Sequence, residues 1–106
     1  MKITVVRRGS PKQSPDAYRQ YIGRPSPLGN PFHIGPHGTR EEVVRRYRRW
    51  LWEQIQDQDE AVGERLDSLL RIAQQRPLEL ECHCAPLACH GDIIKSALFW
   101  MNEKGS

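Results

Sequence analysis

The stretch from Pro77 to Leu98 constrains the fold more than any other. Pro77-Leu78-Glu79-Leu80 is a short apolar run of the kind that forms a buried strand. Glu81 to Asp92 follows and holds all three cysteines of the chain, with two of its four histidines. Ile93-Ile94 and Ala97-Leu98 then recur at helical spacing. A strand, a short turn and a helix in this order is a unit of α/β folds, and α/β proteins place their ligands at such turns.

A chain of 106 residues makes one domain, here expected over 1–101 with a tail at 102–106. No apolar run approaches the roughly 20 residues that span a membrane. Met1 to Val6 is interrupted by Arg7-Arg8 too early for a signal peptide. A cytoplasmic protein without membrane contact is therefore expected, with its cysteines as thiols or metal ligands rather than disulfides. Net charge is +3, and Arg40, Arg45, Arg46, Arg48 and Arg49 are crowded together. The plainer meaning of such a run is a solvated helix face, partly neutralised by Glu41, Glu42 and Glu53. The functional alternative is a nucleic-acid surface.

From the N-terminus, Lys2 to Arg7 is β-branched on both parities and predicts an interior strand. Gly9 to Asp16 is a loop, and a short strand is expected at Tyr21-Ile22. Gly23 to Phe32 holds three prolines and two glycines in ten residues, which excludes helix and central strand. Each proline also restricts the residue before it, so the loop is stiff. It can present Arg24, Ser26 and Asn30, while Leu28 and Phe32 plug the core. Thr39-Arg40-Glu41-Glu42 is a capping box that opens a helix to about Gln56. Its stripe is Val43, Tyr47, Leu51 and Ile55, with Trp52 off the stripe. A second helix is expected from about Glu60 to Gln75, a strand from Leu78 to Cys84 and a last helix from Cys89 to about Met101. The fold class is α/β, a small and mainly parallel sheet with flanking helices, Rossmann-like in three layers or part of one.

With Cys89 as N-cap of the last helix, Asp92 stands at N3. The free amides of Cys89, His90 and Gly91 would then face a phosphate, and the helix dipole would lower the Cys89 thiol pKa. Cys82 and Cys84 share one side of the strand, with His83 and Glu81 on the other. Two site chemistries compete. One is a pocket for a nucleotide or other phosphorylated small molecule, with Cys89, His90 and Asp92 as catalytic candidates and Arg24, Ser26, Asn30 and Gly91 as ligand-binding ones. The other is a zinc-stabilised module with Cys82, Cys84, Cys89 and His90 as a Cys₃His set, His33 or His37 being replacement ligands. The spacing C-x-C-x₄-C-H is uncommon for zinc, and for Cys82 or Cys84 alone buried packing is the better expectation.

Two blocks together resemble a known family. One runs Tyr21-Ile22-Gly23-Arg24-Pro25-Ser26-Pro27-Leu28-Gly29-Asn30-Pro31-Phe32, continued by Gly38 to Val43 and Tyr47. The other is Cys82-x-Cys84-x-Pro86-x-x-Cys89-His90-Gly91-Asp92. The chain resembles, from about Ile3 to Leu98, small bacterial and phage domains of unknown function. The resemblance implies an α/β fold and a site near Cys89-His90. It implies no activity; a phage-related nucleotide function is an association. The family places an aromatic where His83 stands here, which argues against a family-wide role for His83. In a second, similar family the position like Cys84 is acidic, which argues against a shared Cys₃His site.

The expectation for the tertiary structure is therefore specific. The Gly23–Phe32 loop and the Cys82–Asp92 turn should meet at the C-terminal edge of the sheet. Trp52 and Trp100, if both exposed, leave a dimer open.

Overall fold

Local rules account for the order of elements: β1 Ile3–Arg7, β2 Tyr18–Tyr21, α1 Arg40–Gln56, α2 Glu60–Gln75, β3 Leu78–Cys82 and α3 His90–Lys104. The computed structural model describes residues 1–83 and 89–105. α1 begins at the expected capping box: Thr39 Oγ1 accepts the Glu42 N–H, and Glu42 Oε1 accepts the Thr39 N–H at 3.0 Å. α2 begins at Asp59, whose Oδ2 accepts the Val62 N–H at 3.0 Å. It stops at Arg76, held extended before Pro77. α3 begins at Cys89, the expected N-cap.

The sheet has the order β1-β3-β2, and both pairings are parallel. β3 is central, which explains its apolar character. Ile3 is level with Leu78 and Val5 with Leu80 on one side; Tyr18 and Gln20 are level with the same two residues on the other. Leu78, Leu80 and Cys82 join one core with Tyr47 and Leu51 of α1, Leu66 and Leu69 of α2, and Ile94 and Leu98 of α3. Truncating one such leucine to alanine costs about 2–5 kcal/mol. The parallel sheet and its three helices establish the α/β class; the three-layer, Rossmann-like stacking goes beyond these contacts.

On the alternate positions of β3 stand Glu79 and Glu81. Glu79 is 1% exposed, and its carboxylate accepts the Gln13 N–H at 2.8 Å and Arg19 Nε and Nη2 at 2.9 and 2.7 Å. Arg19 also donates to the carbonyls of Ser10 and Pro11. This cluster straps the β1–β2 connection to β3. Burial pushes the Glu79 carboxyl upward, but the Gln13 and Arg19 bonds outweigh it and hold it below the usual range.

Three boundaries differ from expectation. β2 lies at Tyr18–Tyr21 rather than at Tyr21-Ile22, because the ladder to β3 starts at the bond from Tyr18 N–H to Pro77 O. The strand expected to reach Cys84 ends at Cys82, and Cys84 lies outside the described residues. α3 continues through Asn102 to Lys104, into the segment expected as tail. Gln74 of α2 donates to Asn102 Oδ1 at 3.1 Å and ties that end down.

Candidate functional site

The C-terminal ends of β2 and β3 open onto a cavity of about 510 Å³. Its lining comes from the proline-rich loop, the start of α1, the end of β3 and the start of α3. The two sequence segments expected to meet do meet: His90 Nε2 donates to the Ile22 carbonyl at 2.7 Å, one residue before the loop.

The loop is held from several sides. Tyr47, with no exposed surface, donates its hydroxyl to Leu28 O at 2.7 Å. Ser26 Oγ accepts the Leu28 N–H, and Asn30 Oδ1 accepts the Phe32 N–H at 2.8 Å. Asn30 Nδ2 reaches Val43 O of α1 at 3.4 Å. Gly23 leaves room for the Tyr21 ring, whose hydroxyl end a Cβ there would have to displace. Leu28 plugs the core as expected, whereas Phe32 is half-buried and lines the cavity.

Of the expected site residues, Arg24, Asn30, Cys89 and His90 line the cavity. Arg24 is exposed and donates through Nη1 to Asn30 O at 2.7 Å; its other guanidinium donors make no bond among the described residues. Ser26, Gly91 and Asp92 are not among the described lining residues. Ser26 shapes the turn. Gly91 is buried where α3 crosses β1, and a Cβ on it would stand 2.9 Å from Val5 Cγ1. Asp92 is exposed. Of the three amides expected to face a phosphate, that of Gly91 is occupied within the chain, donating to Cys89 Sγ at 3.3 Å; beside it Asp92 N–H donates to Cys89 O at 3.2 Å.

The thiol differs from the sequence expectation. Cys89 is 2% exposed, and its Sγ lies 3.0 Å from Cys82 Sγ. That contact and burial push the Cys89 thiol well up, despite the helix N-terminus, so it is not a thiolate at neutral pH. Burial lowers the His90 pKa and the Ile22 bond opposes this only in part, so the ring is neutral with its proton on Nε2. Nδ1 has no partner among the described residues. Tyr47 packs edge-on to that ring at 5.1 Å, and burial drives its hydroxyl up as well.

No three potential metal ligands converge among the described residues. Of the expected set, the Cys82 and Cys89 sulfurs lie together and His90 Nε2 is bonded to Ile22 O; Cys84 lies outside the described residues. Of the replacement ligands, His33 lines the cavity, while His37 accepts the His33 N–H through Nδ1 at 2.8 Å.

Tyr21, Arg40 and His83 also line the cavity; the sequence placed Arg40 in the arginine run and His83 on the strand, and neither they nor Tyr21 were among the expected pocket residues. Arg40 had a readable signal: it is the first residue of a helix, directly after the capping Thr39. His83 had none, because its placement depends on β2. It accepts from Arg8 Nη1 at 3.3 Å and meets Tyr21 edge-on at 5.9 Å, with the Arg8 guanidinium 4.8 Å over the Tyr21 ring. Trp52, expected to be exposed, is half-buried and stacks edge-on with Trp100 at 4.9 Å.

Among the described residues no helix is long and apolar enough to cross a membrane. Comparison with curated proteins and with solved structures finds no match. A family model for a domain of unknown function, DUF4326, matches residues 5–100, which takes in both sides of the cavity. The chain belongs to the DUF4326 family.

Proposed function

We propose that the cavity binds a nucleotide or other phosphorylated small molecule. One observation carries this: at the C-terminal edge of a parallel sheet, Arg24, Arg40 and His33 stand beside Tyr21 and Phe32 around about 510 Å³. That volume suits a ligand of mononucleotide size. Guanidinium groups recognise phosphate, and aromatic faces accept a base or other flat ring. Arg24 and Arg40 take the phosphate in this reading, since the Gly91 amide is bonded to Cys89 Sγ.

Binding is the primary activity in this reading. Any proton transfer would fall to His90, whose neutral ring keeps Nδ1 unprotonated. Cys89 as nucleophile would first have to leave Cys82.

Calorimetry with inorganic phosphate and nucleoside mono-, di- and triphosphates tests the reading. Binding of at least one, weakened about tenfold by Arg24→Ala or Arg40→Ala, is expected. Indifference of every ligand to both variants would overturn it. Stoichiometric zinc, lost together with folding on chelation, would replace it by a zinc-stabilised module. The convergence of the Cys82 and Cys89 sulfurs is the observation on that side.

A further inference from the structure

α1 carries a second concavity on its outer side. A groove of about 440 Å³ is lined by Phe32, Arg45, Arg46, Arg49 and Trp50, together with Glu42 and Glu53. Glu42 is turned back onto the Thr39 N–H in the capping box. Arg45, Arg46 and Arg49 are exposed, and none forms an ion pair among the described residues.

Phe32 lines both the groove and the cavity, so the two concavities share one ring. The Arg46 guanidinium lies 6.0 Å from its centroid. Trp50 offers a second, half-buried aromatic surface further along. Trp50 also packs against the core, whereas the Phe32 ring beside Arg46 is an aromatic face that a solvated helix face does not need. Cations interleaved with aromatic faces are what a single-stranded nucleic acid requires: charge for the phosphates, ring faces for the unpaired bases.

We propose that the ligand is the end of a single-stranded nucleic acid. Its terminal nucleotide enters the cavity, the chain crosses Phe32, and the following phosphates lie on Arg45, Arg46 and Arg49. This rests on the reading of the cavity as a nucleotide site and names the substrate class of that site.

The test uses the full chain and two probes: a fluorescein-labelled single strand of about eight nucleotides, followed by anisotropy, and the free nucleoside monophosphates, followed by calorimetry. The strand is expected to bind at least about tenfold more tightly than the monophosphates. Its log K should fall with log salt more steeply than that of the monophosphates, by a slope of about −2, from roughly 0.7 per phosphate at three arginines. The triple variant R45A/R46A/R49A should lose the extra affinity and flatten the slope, yet bind monophosphates as before. Inorganic polyphosphate, which has charge and no bases, should compete poorly. A strand that binds no better than a monophosphate, or polyphosphate that competes equally well, would overturn the inference and leave the cavity reading intact. Failure of both probes to bind would remove both.

Discussion

Two polar clusters sit a few residues apart along β3, and they differ in what remains unpaired. Around Glu79 both carboxylate oxygens are bonded, and Arg19 Nε, Nη1 and Nη2 each have a partner. Around the cavity Arg24 keeps guanidinium donors without partners among the described residues, and His90 Nδ1 is likewise open. The first cluster fastens a loop to the sheet. The second holds polar groups in fixed positions with bonding capacity left over, which is the property a binding site needs. Burial alone does not separate them, since Glu79 and His90 are both buried.

Stability measurements should separate the clusters most widely. Glu79→Ala removes the carboxylate that holds Arg19 through two bonds, leaving Arg19 to Glu81 at 3.5 Å and to the Ser10 and Pro11 carbonyls, and is expected to lose about 3 kcal/mol in denaturant unfolding. Arg24→Ala should stay within about 0.5 kcal/mol of wild type. Equal losses would mean that the cavity cluster is also a fastening. Gly91→Val comes next, at about 2 kcal/mol, because its side chain must displace Val5 and Ile22. If that variant kept its stability and lost ligand binding, Gly91 would return as a ligand contact.

The pH dependence of unfolding gives each cluster its own window. The folded His90 pKa lies below its ordinary 6.5. The unfolded chain therefore takes up the proton first, and stability falls as pH drops below about 6.5. His90→Gln should remove this loss, so that the variant's stability changes less between pH 7 and 5 than the wild type's. Glu79 is also held below its ordinary value, 4.5. Its contribution is present above that value and is lost at more acidic pH. A wild-type profile flat between pH 7 and 5 would contradict the neutral, buried His90. The smallest effect concerns the sulfurs. Alkylation of Cys82 and Cys89 by iodoacetamide near pH 7.5, followed by peptide mass spectrometry, should be at least about tenfold slower in the folded protein than in denaturant. Rapid labelling of Cys89 would restore it as a nucleophile.

How much of the site could be read in advance depends on the range of the interaction behind each residue. Cys89 as a helix N-cap was legible, because capping acts within one turn. Its raised thiol was not, because the cause is Cys82 Sγ on another element. Asp92 fits a capping pattern in sequence but faces solvent. Asn30 was singled out as a ligand contact, yet its side chain bonds Phe32 N–H and Val43 O, which shapes the loop that carries Arg24.

The amino-acid sequence by itself determined the helices and where they start. Thr39 with Glu42, Asp59 before Val62, and Pro77 after Arg76 set the bounds of α1 and α2 through contacts a few residues long. It also determined that a stiff loop precedes α1. The tertiary structure alone decided that β3 lies between β1 and β2, where β2 begins, and that Arg19 strap Glu79 belongs to the scaffold. It also brought Tyr21, His33, Arg40 and His83 around one cavity. Parallel pairing joins strands far apart in the chain, and its register follows from which apolar faces bury together. No window of neighbouring residues contains that information.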